Sequence, residues 1–442
     1  MAHRYPDSSV FHRPLGRALP EIERGEGAIL WDTEGRRYID GSGGAVVVNV
    51  GHGRKEIASA LARQAAAAAY VHGTQFTSGV LETYARRLAP HVPMDGPRLY
   101  LVSGGSEANE TALKMARAYQ LAVGQASRHK VIRGSISYHG NTLATLSLSG
   151  RPNLQAPYRP MLRTAPEAPA PFCYHCPIGK TYPDCAVACA DEIEAVALRE
   201  GPETVAAFIA EPVLGASAGA AVPPPDYARK AKDICDRHGI LYIDDEVMTG
   251  FGRTGAWFGL EGVEPDLMTC GKGMSGGYVP VGAVLASRRV VEALHAAGGF
   301  THGFTFSHNP VTAAACLATL EILESEGLVE RARAMGESLR SRLGRLAAGH
   351  PHVGEVRGKG LMFALELVAD RAARRPFPRA DRKAEALTAR CFENGLVVYP
   401  GTGCATGTEG DLVMVAPPFV IADEQLEELV GILDRSLTEL GL

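Results

Sequence analysis

Leu241-Tyr242-Ile243 is a short apolar run that ends in three acids, Asp244, Asp245 and Glu246. A loop punctuated by glycines follows, and a second run, Leu267-Met268-Thr269-Cys270, ends in Gly271-Lys272-Gly273. Runs this short and this apolar predict strands of a buried sheet. In an open α/β sheet, ligands sit beyond the carboxyl ends of the strands. Asp245 and Lys272 could therefore project into one crevice. Taken alone, acids after a strand cap helices and a single lysine is solvated. The flanks argue otherwise, because a lysine between two glycines, with apolar strands on both sides, has little reason to lie on the surface. A lysine so placed can be desolvated, lose its proton and form a Schiff base.

Around this stretch, strands alternate with helices. Leu99–Val102 runs into Ser103-Gly104-Gly105-Ser106-Glu107-Ala108-Asn109, and helix-forming residues continue through Ala118. A strand, a glycine turn and a helix N-terminus together make a ready anion site. The hydroxyl of Ser106 could cap that helix or bind a phosphate oxygen. Val131–Ser137 is the next strand candidate and ends at Tyr138-His139-Gly140-Asn141; Val205–Ala210 ends at Glu211-Pro212. Residues 226–238 predict a helix with Asp226 as N-cap and Gly239 as stop, and Val281–Ala286 gives another strand. The alternation predicts a mainly parallel sheet with helices on both faces.

The flanking segments are simpler. Residues 27–40 predict a hairpin turned at Thr33-Glu34-Gly35. Gly41–Gly44 and Val46–Val50 read as a loop and a buried strand, or as a glycine-lined segment close to a ligand. Residues 54–69, 80–90, 311–324 and 328–348 predict helices. Val356–Leu367 is strand-like, and the arginine-rich stretch 371–383 reads as a solvated loop. Strand-like 396–399 and 412–415 precede Pro417-Pro418 and a final amphipathic helix.

A chain of 442 residues can bury a large core and fits two or three domains. A net charge of −4 gives no electrostatic case for nucleic acid or membrane partners. No apolar run approaches the roughly 20 residues of a membrane helix. The first twenty residues lack a signal-peptide core, so the cytoplasm is the default. Nine cysteines in such a chain read as free thiols rather than a disulfide framework. Four of them, Cys173, Cys176, Cys185 and Cys189, stand at a C-x2-C-x8-C-x3-C spacing that could hold zinc or an iron–sulfur cluster. The central gap is shorter than in most zinc modules, and the expectation is no metal.

Asp245-Glu246-Val247, Gly250-Phe251-Gly252-Arg253-Thr254-Gly255, Pro265-Asp266 and Gly271-Lys272-Gly273 together resemble the signature of the class III aminotransferases, pyridoxal-phosphate enzymes of fold type I. The resemblance extends over roughly residues 27 to 430. Within it, Ser103-Gly104 departs mildly from the Asn-Ser-Gly more often found in the phosphate turn. It implies an α/β fold whose large domain, residues 60–320, holds the mostly parallel sheet. A smaller α+β domain would combine residues 1–59 with 321–442. It implies that Lys272 holds the cofactor as a Schiff base and that Asp245 pairs with the pyridinium nitrogen. Tyr138 and Val247 would lie on opposite faces of the ring, beside His139. Gly105 and Ser106 would hold the phosphate, with Thr305 reaching across a homodimer interface to the partner's phosphate. Glu211 would belong to the polar network of the site.

The substrates implied are small amines and 2-oxo acids. Many family members hold a substrate carboxylate with an arginine three residues before the Pro-Pro pair; here that position is Met414. The substitution speaks against acetylornithine or ornithine donors. It favours an amine or ω-amino acid donor with an acceptor such as pyruvate. An aminomutase of the same family and a non-catalytic pyridoxal-phosphate-binding protein are the alternatives.

Overall fold

The computed structural model describes residues 2–442. Its centre is a seven-stranded sheet. In chain order the strands are β1 (Arg98–Val102), β2 (Lys130–Gly134), β3 (Glu167–Ala168), β4 (Val205–Ala210), β5 (Leu241–Asp245), β6 (Leu267–Gly271) and β7 (Gly282–Ala286). Across the sheet they lie in the order β1-β7-β6-β5-β4-β2-β3. Only β7 runs antiparallel to its neighbours. The sheet is thus mostly parallel, as the alternation of apolar runs and helical segments predicts.

The runs lack a polar face because both faces are covered. Val102, Ala207, Ile209, Leu241, Ile243 and Leu267 pack with Ala108, Ala112, Met115 and Ala116 of the helix α1 (Gly105–Ala122). The alternate residues Leu101, Met268, Cys270 and Leu285 enter the core that contains Leu323 and Leu339. Phe208 and Tyr242 pack against Ile193, Ile234 and Cys235 of the helices Ala188–Glu200 and Tyr227–His238. Successive side chains of a strand point to opposite faces. That period separates the acids after Ile243: Asp244 and Glu246 are fully buried away from the cavity that Asp245 lines. Burial and the neighbouring Glu246 and Asp245 push the Asp244 carboxyl well above its ordinary range.

Both ends of the chain meet in a four-stranded sheet, and C-terminal strands alone build a five-stranded one. Ile29–Asp32 and Arg37–Asp40 form the predicted hairpin, and Leu396–Val397 adds in parallel beside Ile39 and Asp40. Asp411–Val415 pairs with Met362–Asp370 on one side and Tyr399–Thr402 on the other. The long helices Pro310–Ser325 and Leu328–Gly349 fall where their composition places them.

Several local expectations are corrected. Val46–Val50 is not a strand: Gly43–Val46 forms a helical turn, with Gly44 at φ +68° and Val46 at +60°. The strand from Lys130 stops at Gly134, because the chain then folds back so that Ser137 meets Gly150 through its carbonyl and hydroxyl. The single strand expected at 356–367 is a hairpin of Val353–Lys359 and Met362–Asp370. Its turn uses Gly360 at φ +58°, where a side chain would meet the backbone of Thr254 at 2.3 Å. The helix predicted to stop at Pro90 ends at Leu88 and continues as a 3₁₀ turn through Pro90. Gly239, at φ +64°, ends its helix as expected, but Asp226 stands at the N-cap without a side-chain bond.

All nine cysteines are free thiols. Among the described residues no group of three or more potential ligands is arranged to hold a metal. No helix of the described residues is long and apolar enough to cross a membrane.

Candidate active site

A cavity of about 760 Å³ opens where the carboxyl ends of β1, β2, β4, β5 and β6 converge. Gly105, Ser106, Tyr138, His139, Glu211, Asp245, Val247 and Lys272 all line it. They come from five separate turns, and the sheet brings them together.

Asp245 closes β5 and is only 4% exposed. Its Oδ2 accepts from His139 Nδ1 at 2.7 Å and from Asn109 Nδ2 at 2.9 Å; its Oδ1 accepts from the Val247 amide at 3.1 Å. Asn109 is set in turn by donating to the His139 carbonyl at 2.8 Å and accepting from the Thr269 hydroxyl at 2.9 Å. This network fixes the carboxylate in one orientation and leaves little freedom for the acid to turn away. The other ring nitrogen of His139, Nε2, is buried without a partner among the described residues.

Lys272 follows β6 at φ +43°, a backbone region unusual for a residue with a side chain. Among the described residues its amine makes no hydrogen bond and has no carboxylate within 4.0 Å. Burial lowers its pKa below the ordinary lysine value, and the charges of Asp245 and Glu211 offset this only in part. The result is an amine more readily deprotonated than a surface lysine. Lys272 and Asp245 thus share a cavity without touching, which leaves room for a group between them.

Glu211 accepts from the Tyr138 amide on Oε1 and from the Gly215 amide on Oε2, each at 2.9 Å. It therefore ties the turn carrying Tyr138 to the end of β4. Burial raises its pKa above the usual carboxylate value. Gly105 begins α1 directly against Val247: a Cβ there would lie 2.8 Å from Val247 Cγ1. Ser106 does not cap α1, contrary to one of the two expectations for it; Gly104 is the N-cap, and the Ser106 hydroxyl accepts from the Asn141 amide at 3.1 Å. The N-terminus of α1, the positive end of the helix dipole, lies at the cavity wall through Gly104, Gly105 and Ser106.

Thr305 is the exception. It is exposed and does not line this chain's cavity. Conversely, several lining residues escaped sequence reasoning. Asn109 lies one helical turn beyond Gly105-Ser106, where a polar residue on a buried helix face was the available signal. Arg379 belongs to the stretch read as a solvated loop, yet it lines the cavity, paired with Glu385. Arg151, Tyr399 and Thr402 line it too, from segments that carry no local motif. Arg253 is a brace behind the site: its guanidinium donates to the carbonyls of Val48, Leu361 and Pro417 and lies over the Phe419 ring. Burial lowers its pKa to about 9.

The sequence pattern described as "Aminotransferase class-III" matches residues 12–437. The chain is a class-III aminotransferase. This aminotransferase is 36% identical over 442 residues to the putrescine–pyruvate aminotransferase of Pseudomonas aeruginosa, covering 99% of this chain and 94% of that one. Its structure superposes on an (S)-enantioselective omega-transaminase from Thermomicrobium roseum with a TM-score of 0.90 at 38% identity, covering 99% and 96% of the two chains. It also superposes on an amine transaminase from an uncultivated Pseudomonas species, solved in the PLP-bound (internal aldimine) form. There the TM-score is 0.89 at 34% identity, with 99% and 98% covered.

The cofactor of the aminotransferase is pyridoxal 5′-phosphate, and the residues present fit it. An unpaired, desolvated amine and an anchored carboxylate line the same cavity. The helix N-terminus beside them suits a phosphate, and Tyr138 and Val247 add an aromatic and an apolar surface to the same cavity.

Proposed function

We propose that the aminotransferase moves an amino group from an amine or ω-amino acid to a small 2-oxo acid such as pyruvate, with Lys272 and Asp245 as its catalytic residues. The observation that carries the catalytic part is the pairing of an unbound, pKa-lowered Lys272 amine with a triply hydrogen-bonded Asp245 in one cavity. When bound, pyridoxal 5′-phosphate supplies a carbonyl carbon for amines and an electron sink for the carbon next to nitrogen. Lys272 would hold the cofactor and, once displaced by an incoming amine, would take the proton from the donor carbon and deliver it to the cofactor carbon that the lysine had occupied. Asp245 would keep a proton on the pyridine nitrogen, while His139 and Asn109 hold the carboxylate in line. Tyr138 and Val247 would cover the two ring faces. Gly105 and Ser106 would donate to the phosphate. Glu211 would keep Tyr138 in place through its backbone.

The substrate part rests on Met414. It is fully buried on its strand among Val213, Met248, Ala364 and Leu412, and it does not line the cavity. An apolar residue packed there has no charge to offer a substrate carboxylate. The relatives named for putrescine–pyruvate transfer and for omega-transaminase activity support the same class of donor.

In this reading the protein is a homodimer: Thr305, exposed on this chain, would reach the phosphate of the second copy. It would work in the cytoplasm, in keeping with nine free thiols. Residues 60–320 would form the cofactor-binding domain, and 1–59 with 321–442 the smaller one.

The test is spectroscopic. Adding putrescine or β-alanine to the yellow holoenzyme should bleach its visible band, and pyruvate should restore it. Lys272→Ala should abolish turnover; turnover near the original rate would refute the catalytic assignment. Strict preference for ornithine-type donors would refute the donor class.

A further inference from the structure

Four basic side chains line the cavity: Arg13, Arg151, Lys272 and Arg379. Three have clear circumstances. Lys272 faces Asp245 and Glu211. Arg379 is bound through both guanidinium ends to Glu385. Arg13 lies exposed on the N-terminal arm. Arg151 differs from them. It is part-buried, no carboxylate pairs with it among the described residues, and its one hydrogen bond is a long 3.4 Å contact from Nη2 to the Thr402 carbonyl. A guanidinium carries five donors in a flat fork. Part-buried in the cavity wall, Arg151 keeps most of these donors free for a ligand.

Its position is built in. Gly150 donates to both the carbonyl and the hydroxyl of Ser137 at 3.0 Å. A Cβ at Gly150 would lie 2.3 Å from the Ser135 carbonyl oxygen, so only glycine lets the chain pass so close. Arg151 therefore starts beside the Tyr138 turn. It crosses toward the strand Tyr399–Thr402, whose Tyr399, Pro400 and Thr402 form the opposite wall. The forked geometry of an arginine matches a carboxylate through two parallel bonds. The buried Met414 cannot provide such a partner.

The geometry points to Arg151 as the residue that holds the carboxylate of the 2-oxo acid acceptor, and of an ω-amino acid donor, at the Thr402 wall. This inference rests on the substrate class proposed above and adds the location of its charged end. Arg151 is a specificity-determining residue, separate from the proton-moving Lys272.

The experiment uses holoenzyme with two three-carbon acceptors: pyruvate, and propanal, an aldehyde without a carboxylate whose intrinsic reactivity cancels when variant and wild type are compared. For Arg151→Gln, the ratio of kcat/KM for pyruvate to that for propanal should fall roughly 10- to 100-fold, the size of one lost charge-assisted pair. Arg151→Lys should recover part of the ratio, since it keeps the charge but loses the fork. Propanoate, which cannot react, gives a second readout. Its Kd, read from the perturbed visible band, should rise by a similar factor in Arg151→Gln. If the ratio and the propanoate Kd stay within twofold of wild type, Arg151 does not hold the carboxylate. If pyruvate and propanal rates fall together, its role is structural and the inference fails. Wild-type enzyme that does not use pyruvate as an acceptor would overturn the acceptor class itself, and the inference with it.

Discussion

Replacing Asn109 with alanine tests whether the Asp245 carboxylate is held by a network rather than by one contact. Asn109 is 1% exposed and makes three bonds: to the His139 carbonyl at 2.8 Å, to Asp245 Oδ2 at 2.9 Å, and from the Thr269 hydroxyl at 2.9 Å. Asn109→Ala would leave the His139 carbonyl without its partner and the Thr269 hydroxyl without its acceptor. Each buried orphan costs about 1–3 kcal/mol, and the lost bond to the carboxylate costs about 1.5–3 kcal/mol more. The low ends of these ranges together give a loss of about 3.5 kcal/mol. An unfolding entropy of roughly 2.1 cal/mol/K per residue over 442 residues converts that loss to a Tm drop of about 4 °C. The measurement belongs on the apoprotein, because bound cofactor adds its own stabilisation by mass action. Cofactor affinity should fall as well, since Asp245 keeps His139 and the Val247 amide but loses one of its two donors on Oδ2. An apoprotein Tm within 1 °C of wild type, with unchanged cofactor affinity, would mean that Asn109 supports neither His139 nor Asp245.

The remaining predictions concern charge and contact. The Lys272 pKa is lowered by burial, so between that lowered value and the ordinary one near 10.5 the unfolded chain binds more protons than the folded one. Apoprotein stability should therefore rise with pH across that window. Lys272→Met should flatten the rise and increase the apoprotein Tm at pH 7, and an unchanged slope in a Tm–pH series would refute the buried-charge argument. Gly105→Ala should weaken cofactor binding by pressing on Val247, which sits 2.8 Å from the added methyl. The double variant Gly105→Ala, Val247→Ala should recover part of the lost affinity, and equal affinities for the single and double variants would refute that cause. Arg357 is buried with Glu366 at 2.6 Å and Glu355 at 2.7 Å. Arg357→Met should cost about 3–5 kcal/mol at neutral pH by stranding the Glu366 charge. Glu366 is held below its ordinary pKa by His175 and Arg357 against the cost of burial. The contribution of that network should be complete above about pH 4.5 and lost as pH falls through the lowered value. Equal acid sensitivity of wild type and variant would contradict it.

Local chemistry in the chain determined the strands, the helix beginning at Gly105, and the two charged residues that end β5 and β6. Short apolar runs can be buried only inside a covered sheet, and a lysine between glycines beside such a run has nowhere to go but the end of it. The same logic placed Gly105, Ser106, Tyr138, His139, Glu211 and Val247 at strand ends, where the cavity lies. It singled out Asp245, while the packing around Asp244 and Glu246 decided that those two acids are sealed away from the cavity. It could not find Arg151, Arg379, Tyr399 or Asn109. Their sequence neighbourhoods look like turns, solvated loops or a helix interior, and only the folding of distant segments against one another makes them walls of a cavity. Met414 shows both sides: the sequence told that no arginine stands before Pro417-Pro418, while the packing of Val213, Met248 and Leu412 around it decided that the position is sealed. Short-range propensity acts between neighbours in the chain, whereas a binding site is assembled from residues hundreds of positions apart, so its outline exists only once the core has closed.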